Sequence, residues 1–118
     1  MKLKWATLLL VNSALMLNAS STDVAELMET KCSNCHFVSN AYKEMKAPPM
    51  WGVKKIVNQH YKTPEEAKAF IIDYVMNPSK EKMVFPDATL KRFGLMPSQK
   101  DKITQEELEA IVEYFYRK

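Results

Sequence analysis

Five consecutive residues, Cys32-Ser33-Asn34-Cys35-His36, hold both cysteines of the chain and one of its two histidines. On a helical turn, positions i, i+3 and i+4 face the same side. Two thiols and an imidazole at this spacing can therefore meet one flat ligand. The chemistry that needs such an array is addition of two thiols across the vinyl groups of one porphyrin edge, with the imidazole on the iron. C-x-x-C-H is the signature of that attachment. Other uses of a C-x-x-C pair fit less well. A redox dithiol opens a helix in a βαβ setting, whereas the residues before Cys32 read as helix with no strand signal. Zinc takes four ligands, and after His36 the sequence offers only His60 and no further cysteine. A Cys32–Cys35 disulfide closes almost no loop and stabilises little.

The rest of the chain has to position those three residues. Its 118 residues allow one domain. Two glycines, with no G-x-G-x-x-G or P-loop string, exclude a nucleotide-phosphate cradle. A formal charge of +3 gives no case for nucleic acid, and no polar run is long enough for a disordered tail. Residues 1–20 have the layout of a secretory signal peptide. Lys2 and Lys4 form the positive start, and Trp5 to Leu17 is apolar except for Thr7, Asn12 and Ser13. Small residues follow at Ala19, Ser20 and Ser21. The apolar run is shorter than the roughly 20 residues of a spanning helix; an uncleaved anchor is the alternative. Cleavage is expected near Ala19–Ser21, leaving an exported domain of about 97 residues over 21–118. Loss of Lys2 and Lys4 takes the balance from +3 to +1. A domain of this size buries only about 60–65% of its unfolded surface. With at most one short disulfide available, a bound group has to complete its core.

Four segments read as helices, and none alternates with period 2, so an all-α fold is expected. The first covers about 23–33, with Ser21 or Thr22 as N-cap and Val24, Leu27 and Met28 as its apolar stripe. The second is 53–60, with Val53, Ile56 and Val57 on one side. The third opens at Thr63-Pro64-Glu65-Glu66, a capping box with proline in the first turn. It carries Ala67, Phe70, Ile71, Tyr74 and Val75 on one face and stops at Asn77-Pro78. The fourth opens with the box Thr104-x-x-Glu107 and carries Leu108, Ile111, Val112 and Phe115.

With these features the chain resembles the class I cytochromes c of bacterial periplasms, over the whole of 22–118. The resemblance implies a cytochrome c-like fold of about four helices around one covalently bound haem c. It also implies that the first helix, ending in the haem motif, is crossed by the last. Ala47-Pro48-Pro49-Met50-Trp51-Gly52 is similar to the family's G-P-x-L-x-G segment on the histidine side of the haem. On that match the Pro48 carbonyl accepts from the second ring nitrogen of His36, and Met50 packs on the porphyrin. Ala47 departs from the family glycine; a positive φ there would cost about 1 kcal/mol. Trp51 is placed equally well along the haem edge and on the surface. Gly94-Leu95-Met96-Pro97 resembles the family's distal Met-Pro, which makes Met96 the sixth iron ligand. Met83 and His60 are the rivals, and an open position the remaining alternative.

The resemblance implies a one-electron carrier that turns over no small-molecule substrate. Its partners would be a membrane oxidase or reductase, or a soluble reductase, met as a monomer and without nucleic acid. Eleven lysines between 43 and 102 read as solvated surface, some of which can steer an acidic partner. Arg92 can pair with a haem propionate. Two other classes stay open: a haem sensor or gas-binding protein with a labile sixth position, and an enzyme subunit whose chemistry lies in a partner chain.

Overall fold

A computed structural model describes residues 21–36 and 45–117; residues 1–20, on which the signal-peptide expectation rests, lie outside the described residues. Among the described residues five α-helices follow in order: α1 (Ser21–Met28), α2 (Met50–His60), α3 (Pro64–Met76), α4 (Asp87–Phe93) and α5 (Gln105–Arg117). No strand occurs among the described residues. The fold is all-α, as the periodicities require.

Helix α1 runs directly into a π-helical turn over Glu29–Ser33. The Thr30 hydroxyl donates back to Glu26 O at 3.0 Å and lies 3.2 Å from Leu27 O. Such back-bonding competes with the α-helical ladder, and π turns of this kind favour functional sites. The predicted segment 23–33 is helical throughout, but its last five residues are wound more widely than expected.

Helix α2 starts three residues before the predicted 53. Pro49, extended at φ −63° and ψ 154°, is its N-cap, and the Pro49 carbonyl accepts from Val53 N at 3.0 Å. Helix α3 starts as expected, with Thr63 Oγ1 accepting from Glu66 N at 3.2 Å. The box before α5 closes in both directions: Glu107 N to Thr104 Oγ1 at 3.1 Å, and Thr104 N to Glu107 Oε1 at 3.0 Å. Helix α4 adds to the four segments read from the sequence. Its seven residues are too few to show periodicity. Its ends are nevertheless marked, by Asp87 in the first turn, Lys91 and Arg92 in the last, and Gly94 as C-cap.

Helix α1 packs against α5, α5 against α3, and α3 against α2. Val24 and Met28 are buried, as are Leu108, Ile111, Val112 and Phe115, so the first and last helices meet through the predicted stripes. Met28, Met76 and Ile103 join the α5 stripe in one apolar cluster. Each such side chain contributes about 1.5–3 kcal/mol on leaving water. The face expected for α3 is only partly core. Ala67 is buried, but Phe70, Ile71, Tyr74 and Val75 are half-exposed because they line a cavity.

Candidate functional site

The cavity has a volume of about 210 Å³ and is lined almost throughout by apolar side chains. Cys32, Cys35 and His36 enter it from the end of the first helical segment. His36 N donates to Cys32 O at 2.9 Å and Cys35 N lies 3.2 Å from the same oxygen. The motif is therefore one helical turn, which brings both thiols and the imidazole to the same cavity. Asn34 Nδ2 closes the turn on Thr30 O at 2.9 Å.

Pro48 sits beside His36. Its carbonyl lies 2.5 Å from His36 Nδ1. A carbonyl only accepts, so Nδ1 carries the proton and Nε2 keeps its lone pair for a metal. Burial holds the His36 pKa below its ordinary value, against the opposing effect of the Pro48 bond. The ring is thus neutral near pH 7, the form that ligates. Among the described residues only Gly94 has a positive φ. Ala47 accordingly carries no left-handed strain, and its departure from the family glycine costs nothing at this backbone.

Met50 lines the cavity from the first turn of α2 and packs against the core. Met96 and Met83 both line the cavity, whereas His60 does not. His60 is exposed and lies 3.0 Å from Ile56 O through Nδ1. The two methionines differ in how their loops are held. Before Met96, Gly94 takes φ 77° and its N–H donates to Leu90 O at 2.8 Å. A Cβ at Gly94 would meet no protein atom within 4 Å, so it is the backbone angle, not close approach, that calls for glycine. After Met96, Ser98 Oγ donates to Met76 O at 2.6 Å and Gln99 N to Val75 O at 3.1 Å. These bonds fix the loop to the last carbonyls of α3. The Met83 turn is held by Lys82, whose Nζ lies 3.1 Å from Asn77 O and 2.9 Å from Asp73 Oδ2.

Trp51 and Arg92 stand outside the cavity, in a shallow second depression beside it. Of the lysines, Lys31 and Lys46 line the cavity. Sequence reasoning missed Phe70 and Tyr74 as cavity wall, since a helical stripe reads as core whether it meets side chains or a ligand. It also missed Ser98 and Gln99, whose residue types carry no signal of a loop anchor.

The donor set fits a covalently held haem. The Cys32 thiol is pushed up to about 11 by burial and by Cys35. A nucleophilic redox cysteine needs the opposite shift. Among the described residues no three His, Cys, Asp or Glu side chains form a metal cage of their own. What is present is an apolar slot with a neutral imidazole, two free thiols and the three thioethers of Met50, Met83 and Met96 on its wall.

Residues 19–115 match the family described as cytochrome c oxidase, cbb3-type, subunit III. An uncharacterized protein of Aquifex aeolicus (strain VF5) is 31% identical over 106 residues, covering 77% of this chain and 70% of that protein. No solved structure matches the chain.

Proposed function

The chain belongs to the family described as cytochrome c oxidase, cbb3-type, subunit III, a class of c-type cytochrome domains, and from that membership we propose a soluble one-electron carrier with a single haem c held by Cys32 and Cys35. As a cytochrome c domain it carries electrons on haem c. In the finer reading His36 is the proximal ligand, Met96 the distal ligand, and the periplasm the place of work. The supporting observation is the convergence of both thiols, the His36–Pro48 pair and Met96 on one apolar cavity.

Bound haem supplies a ferrous/ferric couple whose potential Met/His ligation raises. The chain does the rest. Cys32 and Cys35 tether the macrocycle, and Pro48 holds His36 in the tautomer that ligates. The apolar wall excludes water, which favours the less charged ferrous form. Ser98 and Gln99 hold the Met96 loop to α3. We assign no substrate turnover. The proposed partners are a membrane oxidase or reductase, or a soluble reductase, met by a monomer through small transient contacts.

A second reading has one observation in its favour. The family's description names an oxidase subunit, which suits a domain working within a membrane oxidase. Co-purification with an oxidase complex separates that reading from free diffusion between partners. The sensor reading needs a labile sixth position, against which the anchored Met96 loop weighs.

Substitution tests the ligand set. Met96→Ala should abolish the weak red-region band of ferric methionine-ligated haem, lower the potential and admit imidazole or cyanide. Met83→Ala and His60→Ala should keep the band. Loss of the band in Met83→Ala alone moves the assignment to Met83. A wild type that lacks the band and binds carbon monoxide freely is a sensor.

A further inference from the structure

The second depression lies between the start of α2 and helix α4. It shares Pro48, Phe85, Thr89 and Phe93 with the cavity, so one wall separates the two. Trp51 lines it and is 55% exposed, the more open of the two large apolar side chains that stand out among the described residues. Lys55 and Arg92 are its charged members, and no described Asp or Glu lines it. The Arg92 guanidinium lies 4.8 Å from the Phe93 ring centre, in the range of a cation–π contact. Neither cation takes part in the two described ion pairs, Lys68–Glu113 and Lys82–Asp73.

An exposed tryptophan beside an arginine is the composition of a protein contact centre, since those two types dominate binding hot spots. A depression with two cations and no described carboxylate is complementary to an acidic surface. Its floor has a further property. Pro48 belongs to the depression and also accepts the hydrogen bond from His36 Nδ1. Pro48 thus links the lining of the depression to the proposed iron ligand through one hydrogen bond.

We propose that the Trp51 depression docks a redox partner protein through an acidic contact face with an apolar centre, and that the electron crosses by the Pro48–His36 hydrogen bond. This rests on the carrier reading above. It places the docking contact on the α2–α4 side, not at the edge where Cys32 and Cys35 anchor the macrocycle.

The test uses holoprotein and, as probe, an oxidised blue-copper protein with an acidic surface patch. The reduced holoprotein loses one electron and the probe's Cu(II) gains it, with no proton or group transferred. Stopped-flow rates are compared at low and high salt. Arg92→Glu and Lys55→Glu should each slow the reaction about tenfold at low salt, and Lys62→Glu, an exposed site lining neither depression, less than about twofold. Trp51→Ala should slow it about tenfold at both salt levels, because an apolar contact is not screened. All four variants should keep the wild-type spectrum and reduction potential. Equal slowing in Lys62→Glu, or a full rate in Trp51→Ala, overturns the proposal. So does a changed potential in Arg92→Glu, which would give Arg92 to the haem propionates. A wild type that reduces ferricyanide but not the copper protein also overturns it. A wild type inert even to ferricyanide brings down the carrier reading itself.

Discussion

His36 shows how one side chain is prepared for a metal. Burial keeps it neutral, and the Pro48 carbonyl decides which nitrogen bears the proton. Gly94 does the equivalent work for the proposed distal ligand Met96, through backbone alone. At φ 77° a side chain is strained whatever the free space around it. Gly94→Ala should cost about 1 kcal/mol in unfolding of the holoprotein. Because the strain falls two residues before Met96, imidazole should also displace the thioether at lower concentration than in wild type. Unchanged imidazole affinity in a destabilised variant would separate the glycine's structural role from Met96.

At the scale of elements, α5 depends on its capping box. Thr104→Ala removes the acceptor for Glu107 N and should lower stability by about 1 kcal/mol, read by denaturant unfolding. The same box makes stability depend on pH. The Thr104 backbone N–H, then its side chain, hold the Glu107 pKa below its ordinary value, and the bonds from Lys82 and Asn77 do the same for Asp73. A carboxylate depressed in the folded state stabilises fully above its unfolded pKa and loses that contribution as pH falls through the folded one. Denaturant unfolding midpoints of Glu107→Gln and Asp73→Asn, followed against pH, should therefore converge with wild type at low pH and diverge near neutrality. Parallel curves would remove both carboxylates from the pH response. Helices α3 and α5 were legible in the sequence because Thr63-Pro64 and Thr104-x-x-Glu107 announce them and their stripes span several turns. Helix α4 was not, since two turns give no period and only its charged ends mark it. The π turn was hidden because a hydrophobic pattern registers neither a shift in backbone hydrogen bonding nor the Thr30 hydroxyl that bonds back to Glu26 O there. At the site, the C-x-x-C-H spacing and the Pro48 match pointed to residues that the structure brings to one cavity. The Ser98 anchor could not be read, because it joins residues 22 apart.

Over the whole molecule, the core and the cavity share their walls. Ile103, Leu108, Ile111, Val112 and Phe115 belong to both. Without a bound group these shared apolar walls face water instead of a partner, in a domain whose whole stability is a small margin. The domain should therefore fold only around its haem. Apoprotein made without attachment machinery should show weak helical circular dichroism and rapid proteolysis, and a cooperative, protease-resistant apo domain would contradict this. The proposed covalent tether would make so incomplete a core workable, since a bound group that never dissociates stabilises at any concentration. Intact mass spectrometry of the purified chain under denaturing conditions examines that tether directly. One haem added to the polypeptide mass, retained after acid–acetone extraction and lost to extraction in Cys32→Ala or Cys35→Ala, is the expected result. A polypeptide mass with no adduct, or with a simple Cys32–Cys35 disulfide, would contradict it.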